Sequence, residues 1–271
     1  MNNLHRELAP ISEAAWLQIE EETTRTLKRY LAARRVVDVP SPGGVAVPGV
    51  ATGHLLPITP PAEGMIASQR EVKALVELRL PFELSRQTID DVERGSEDSD
   101  WQPAKDAAKK FAFAEDRAIF DGYREANIQG IRESTSNPAE PLPDNVRDYP
   151  DAVAQALEHL RLVGVSGPYS VLFGADEYTK LAQTRDHGYP VLEHVKRIVD
   201  GDIIWAPAIA GGFVLTKRGG DFELNIGQDV SIGYLSHTDS TVRLYLQETF
   251  TFRVLTSEAS VALSPSKKTA S

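Results

Sequence analysis

The residues best able to hold a metal or move a proton are six histidines: His5, His54, His159, His187, His194 and His237. They are scattered, and none stands in the H-E-x-x-H spacing that sets two imidazoles and a general base on one helix face. The chain has no cysteine, so it has neither a disulfide framework nor a thiolate metal site. There is no G-x-S-x-G elbow, no G-x-G-x-x-G after a strand and no G-x-x-x-x-G-K-[ST] loop, and nucleotide-cofactor chemistry has no support. Asp90, Asp91 and Glu93, with Glu97, Asp98 and Asp100 nearby, resemble a carboxylate pair for acid–base work. Acids in a turn ahead of a helix are also what the helix dipole favours, and the cluster is read that way. The remaining carboxylate of note is Glu248. It interrupts an apolar row of Val242, Leu244, Leu246, Phe250, Phe252 and Val254, with Arg243, Gln247, Thr249, Thr251 and Arg253 between. That period of two is a half-buried strand, and an inward carboxylate on it calls for an arginine partner because an unpaired buried charge is costly. The chemistry on offer is that of packing and binding, with no catalytic residues, metal ligands or cofactor site assigned.

The elements that position these residues follow from pattern. The 271 residues, 41% hydrophobic, suffice for a full core. Ser12 is a plausible N-cap, and Trp16, Ile19, Thr23, Leu27, Tyr30 and Leu31 recur at helical spacing. Residues 34–39 then switch to a β-like run. Residues 40–64 carry too many Pro and Gly for a packed element and read as an extended excursion. Such a long excursion is often functional or directed to a partner. Val76, Leu78, Leu80, Phe82 and Leu84 alternate as a strand. Residues 101–123 read as a helix capped by Ser99 or Asp100, with Ala104, Ala108, Phe111, Ala118 and Ile119 on one flank and Phe113 and Phe120 nearly opposite. The polar stretch 136–149 marks a boundary, and residues 137–219 read as an inserted α/β unit. Gly219 to Val254 reads as strand, turn, strand. The net charge of −10 and pI near 5.2, without a basic arm, argue against packaging nucleic acid. No apolar run reaches 18 residues and the opening residues carry no basic region followed by an apolar one, so neither a membrane span nor a signal peptide is expected and the location is expected to be cytoplasmic.

GGDFELNIGQDVSIGY and VRLYLQETFTF within residues 219–254, IDDVERG at Ile89 to Gly95 and GPYSVL at Gly167 to Leu172 together resemble the encapsulins, shell proteins of bacterial nanocompartments once grouped as linocin-type bacteriocins. The likeness runs over nearly the whole chain, from Asn3 to about Leu263. It implies an α+β fold of the phage major-capsid (Hong Kong 97) type with a peripheral domain, an extended E-loop and an axial domain. In this sequence these are residues 1–39 (helix and strand of the peripheral domain), 40–75 (E-loop), 76–136 (peripheral domain with spine helix), 137–218 (axial domain), 219–263 (return to the peripheral domain) and 264–271 (a disordered tail).

The resemblance also implies partners. Copies of the chain form an icosahedral shell around a cargo enzyme, a dye-decolourising peroxidase or a ferritin-like iron oxidase, held through a short C-terminal targeting peptide; neither nucleic acid nor membrane is a partner. The peptide groove falls on Leu27, Tyr30, Leu31, Arg34, Val36 and Asp38 on one side and Asp229, Val230, Ile232 and Tyr234 on the other. Leu27, Leu31, Val36 and Ile232 suit apolar anchors, while Arg34, Asp38 and Asp229 suit polar groups. Leu27 and Val36 equally suit a seal between helix and sheet. A loop of Thr184, Arg185, Asp186, His187, Gly188 and Tyr189 matches the one around the five-fold axis, where repetition turns one Asp and one His into a ring that biases ion passage; an ordinary helix–helix turn is the other reading. Two alternatives stand beside the shell subunit: an enzyme of the peptidase kind, for which no nucleophile–base pair is present, and a phage capsid protein that packages DNA, against which the acidic charge argues.

Overall fold

The first α-helix begins where the Ser12 hydroxyl accepts a hydrogen bond from the Ala15 amide (3.3 Å), opening helix α1, Glu13–Tyr30. The computed structural model describes residues 3–265, so the expected disordered tail, 264–271, lies almost wholly outside the described residues. Along α1 the expected stripe is buried at Trp16, Ile19, Thr23 and Leu27. The β-like run expected over residues 34–39 does not form. The chain tightens into a 3-10 turn, Ala33–Arg35, and only Asp38 makes a single β-bridge, to Glu223. The Asp116 carboxylate accepts the amides of Ala32 (2.9 Å) and Ala33 (3.0 Å). It thereby satisfies donors a strand would have placed in a ladder.

The excursion is not free of regular structure either. Strand β1, Gly49–Ile58, pairs antiparallel with β2, Ala67–Ala74, with an irregularity between Ala51 and Leu55. Gly53, inside that irregularity, has φ +83, a conformation glycine adopts without penalty. The breakers counted in the sequence are compatible with the ribbon because most of them flank it or form its tip, and Pro57 lies on a strand with a free edge. The ribbon pairs only with itself.

Strand β3, Val76–Ser85, alternates as expected and leads into helix α2, Arg86–Glu93. Here the acidic cluster differs from the expected turn. Asp90, Asp91 and Glu93 belong to a helix whose Ile89 and Val92 are buried. Helix α3, Gln102–Phe120, starts where Asp100 Oδ1 accepts the Gln102 amide (2.9 Å) and carries Pro103 in its first turn. Its supposed second flank divides. Phe120 is fully buried and stacked on Phe213 (5.2 Å between centroids), while Phe113 is half-buried against Tyr30 (5.7 Å).

The chain continues through α4 (Ile131–Ser134), β4 (Glu140–Pro141), α5 (Tyr149–Leu162), β5 (Tyr169–Phe173), α6 (Ala175–Gln183), β6 (Arg185–Asp186), β7 (Tyr189–Pro190), α7 (Val191–Ile198), β8 (Ile203–Trp205), β9 (Gly212–Thr216), β10 (Phe222–Ile226), β11 (Ser231–His237), β12 (Thr241–Val254) and β13 (Ser260–Ser264). Two main sheets result. In the first, β12 is central: β3 lies along one edge, and β11 and β10 occupy successive halves of the other. The stretch read as two strands therefore holds three. Both faces of β12 are covered, since Tyr245, Gln247 and Thr251 are buried along with the apolar row. The N-terminal segment covers part of the second face, where the Tyr245 hydroxyl donates to the Asn3 carbonyl (3.1 Å) and the Tyr234 amide to that of Leu4 (2.8 Å).

The second sheet has the order β4-β13-β9-β5-β8. Residues 219–263 thus do not all return to the first unit, because β13 pairs antiparallel with β9 inside the second. No apolar gap separates the units. Ile119 and Phe120 from α3, Leu172 and Phe213 from the second sheet, and Phe250 and Phe252 from β12 share one core.

Candidate functional site

Where α1 ends, its exposed face meets the turn before β11 and leaves a groove of about 340 Å³ lined by Thr24, Leu27, Lys28, Leu31, Arg34, Arg35, Asp229 and Val230. Thr24, Leu27, Lys28 and Leu31 follow the i, i+3, i+4, i+7 spacing of one helix face, with leucines at the floor and Lys28 at the rim. That volume lies in the range of small-ligand and peptide pockets.

Beneath the groove, four charged side chains meet. Arg34 grips Glu115 of α3 with two parallel bonds, Nε to Oε1 and Nη2 to Oε2, both 2.8 Å. Its Nη2 also donates to Glu248 Oε1 of β12 (2.5 Å), and Nη1 to Asp229 Oδ1 (2.8 Å). Glu248 thus has the arginine partner its inward position required. Glu115 and Glu248 are fully buried, so one cation serves two enclosed carboxyls. Burial, followed by the Glu115 charge, raises Glu248 well above the usual carboxylate range. Its Oε2, enclosed with it, has no hydrogen-bond partner. Burial alone would weaken the Arg34 charge, but the bonds and charges of Glu115, Glu248 and Asp229 outweigh it and raise its basicity. Beside them, burial pushes Asp116 up to about 7 against the two amides it accepts.

Of the ten residues assigned to the groove by resemblance, Leu27, Leu31, Arg34, Asp229 and Val230 come together there. Tyr30 lies on another face of α1, against Phe113 and Trp205 (5.6 Å). Val36 is in the shared core with Phe222 and Leu224. Asp38 exchanges backbone bonds with Phe222 and Leu224, and its carboxylate accepts the Gly220 amide (2.6 Å). Ile232 is only 5% exposed. Tyr234 donates to or accepts from His237 Nδ1 (2.6 Å) at the far end of β11. Arg34, assigned to ligand polar groups, spends its guanidinium on protein carboxylates. Sequence reasoning passed over Thr24, Lys28 and Arg35; the first two were legible from their spacing to Leu27 and Leu31.

The loop 184–189 is a two-residue β-hairpin. Arg185 and Asp186 in β6 face Pro190 and Tyr189 in β7, and His187 (φ 45) and Gly188 (φ 87) form the turn. Two successive positive φ values are the tight hairpin geometry that matches strand twist. The His187 side chain is 95% exposed and 3.9 Å from Asp186, while Arg147 reaches Asp186 (3.8 Å) and donates to the Arg185 carbonyl (3.3 Å). Among the described residues, no cluster of three or more His, Cys, Asp or Glu could hold a metal ion, and no helix is long and apolar enough to cross a membrane.

The long helix α3, the four-stranded sheet, the projecting ribbon and the second sheet together define a capsid-type subunit. The fold is similar to that of the virus-like particle from Pyrococcus furiosus (TM-score 0.64, 17% identity, 92% of this chain and 98% of that one). It is also similar to the capsid of Myoviridae phage XM1 (TM-score 0.55, 11% identity, 85% and 90%). Within this fold, residues 1–251 match the family described as the encapsulating protein for peroxidase. The chain is 63% identical over 264 residues to the type 1 encapsulin shell protein of Mycobacterium tuberculosis, covering 97% of this chain and all of the relative. It is 44% identical over 270 residues to that of Rhodospirillum rubrum, covering 97% and 96%. The chain belongs to the encapsulin shell-protein family, and it is a structural subunit of a capsid-like cage rather than an enzyme.

Proposed function

We propose that copies of this chain close into an icosahedral compartment in the cytoplasm and retain a cargo enzyme through the cargo's C-terminal peptide, seated in the groove beside α1. The ribbon supports the assembly half of this reading. Leu55, Ile58, Ile66 and Val72 are exposed on β1, β2 and their connection, an apolar surface that a second copy would cover. The groove carries the cargo half, because it joins an apolar floor to a charged rim, the arrangement that holds an extended segment. A peroxidase is the cargo that the family description favours, read here as one of the dye-decolourising kind, with a ferritin-like protein as the other candidate. The compartment's role in oxidative stress or iron storage follows from whichever enzyme it holds. Weak binding per site is enough, since a multimeric cargo facing many grooves gains avidity without new contacts. The hairpin 184–189 is assigned to the rim of the five-fold pore, with Asp186 and His187 repeated around it.

The test is to co-produce the shell with a fluorescent protein fused to the C-terminal segment of a dye-decolourising peroxidase from the same genome. Thr24→Trp places bulk in the groove from an exposed helix position and leaves the core intact. Normal particles with at least tenfold less co-purified fluorescence are expected. Equal loading of variant and parent shells would place the peptide elsewhere.

A further inference from the structure

The groove does not end at Thr24. A second depression, bounded by Leu17, Glu21 and Arg25, shares Thr24 and Lys28 with it. A third, bounded by Glu7, Ile11, Glu13 and Trp16, shares Leu17 and Glu20 with the second. The three join into one trough along the exposed side of α1. At its middle stands Leu17, 61% exposed on a helix whose other apolar residues largely face inward.

The charges of the trough are sorted by end. In the middle they are spent locally: Arg6 on Glu20 (2.5 Å), Arg25 on Glu21 (2.8 Å) and Glu22 (2.7 Å). Of the charged side chains that line the trough, Lys28 and Arg35 at the groove end and Glu7 and Glu13 at the opposite end are in no ion pair among the described residues. Acids early and bases late also suit the dipole of α1, but the dipole does not account for an uncovered leucine between them, nor for Glu7, which precedes the helix. From Glu13 to Leu31 the helix rises roughly 27 Å at about 1.5 Å per residue, the span of about eight residues of extended chain.

We propose that the cargo segment lies along the whole trough. Apolar side chains fill the Leu27, Leu31 and Val230 groove, a further apolar side chain covers Leu17, and Lys or Arg about six residues away neutralises Glu7 and Glu13. This rests on the groove being the cargo site and adds the length and the charge pattern of what it accepts. The specificity it implies is for a basic flank: a tail with the same apolar residues but an acidic flank meets Glu7 and Glu13 with like charge and loads less.

The experiment uses the full-length shell and the same fluorescent fusion, in three forms of the tail: native, with its Lys and Arg changed to Gln, and with them changed to Glu. These are co-produced with the parent shell, Leu17→Ser, the pair Glu7→Lys and Glu13→Lys, and Thr24→Trp. Leu17→Ser and the Glu-to-Lys pair lie on exposed positions and leave particles intact. With the native tail, each is expected to lower fluorescence per particle by about three- to tenfold, and the Glu-to-Lys shell is expected to load the Glu-substituted tail better than the native one. If Leu17→Ser and the Glu-to-Lys pair load the native tail like the parent while Thr24→Trp does not, the extended path is wrong and the groove stands. If Thr24→Trp also loads normally, the groove and the extension fall together.

Discussion

Arg34 was assigned to the cargo peptide by resemblance, yet its geometry makes it the one cation for two fully buried carboxyls, Glu115 and Glu248. Arg34→Met keeps most of the side-chain volume and removes the charge. Breaking a buried ion pair by deleting one partner costs about 3–5 kcal/mol. For a chain of this length that corresponds to a fall in Tm on the order of 10 °C. The loss is expected to depend on pH. In the parent protein, Glu248 is raised above its unfolded value, so the folded state keeps a proton that the unfolded state releases above about pH 4. Stability contributed by that proton is therefore complete at low pH and lost as pH rises. The Arg34 charge holds Glu248 down, so without it Glu248 rises further and keeps its proton to higher pH. The variant then goes on losing about 1.4 kcal/mol per pH unit beyond the point where the parent's loss levels off. Asp116, held up to about 7 by burial, slopes the same way in both proteins and largely cancels in the difference. Thermal unfolding of parent and variant particles, followed by circular dichroism at about pH 5, 6.5 and 8, should show a gap that widens with pH. Replacing the group together, Arg34→Met with Glu115→Gln and Glu248→Leu, should recover most of the loss at neutral pH, since no charge is then left stranded. A Tm gap constant across the three pH values, or one equivalent to less than about 1 kcal/mol, would refute the shared-cation account.

The two aromatic residues once placed on one flank of α3 should behave oppositely. Phe120→Asp puts a charge into the core shared by both sheets and should abolish soluble folded protein. Phe113→Asp should leave the circular dichroism spectrum intact and shift size-exclusion elution from very large particles to small species; normal assembly would show that this face meets no neighbour. At the hairpin, Asp186→Ala with His187→Ala should leave particles unchanged by electron microscopy and alter the initial rate of iron(II) or peroxide entry into loaded shells. An unaltered rate would remove this hairpin from the entry path.

The alternation around Glu248, the Ser12 cap and the helical stripe below it are local patterns; the cap and the stripe appear as the sequence implied, and the apolar row of β12 is inward as implied although its other face is largely covered too. Local periodicity reports which side of an element avoids water, so it announced an inward Glu248 and the need for an arginine. It could not say that the arginine comes from the end of α1, 214 positions away along the chain, because pairing partners are chosen by the packing of α1, α3 and β12. The β-like run after Arg34 misled for the same reason. Its residues favour a strand, but Asp116 takes the Ala32 and Ala33 amides and fixes a turn. In the excursion, Pro and Gly correctly signalled departure from the core and hid a ribbon whose two strands satisfy each other without any core at all. Five of the ten groove residues meet in one groove; Tyr30, Val36, Asp38, Ile232 and Tyr234 are turned to other partners by helix phase, core packing and the N-terminal segment lying over β11. The sequence by itself determined the family, the long helices α1 and α3, the alternating strands β3 and β12, and the absence of a catalytic motif. Only the tertiary structure decided which face of α1 stays open, since that depends on how much of its surface α3 and the β-sheet have left uncovered.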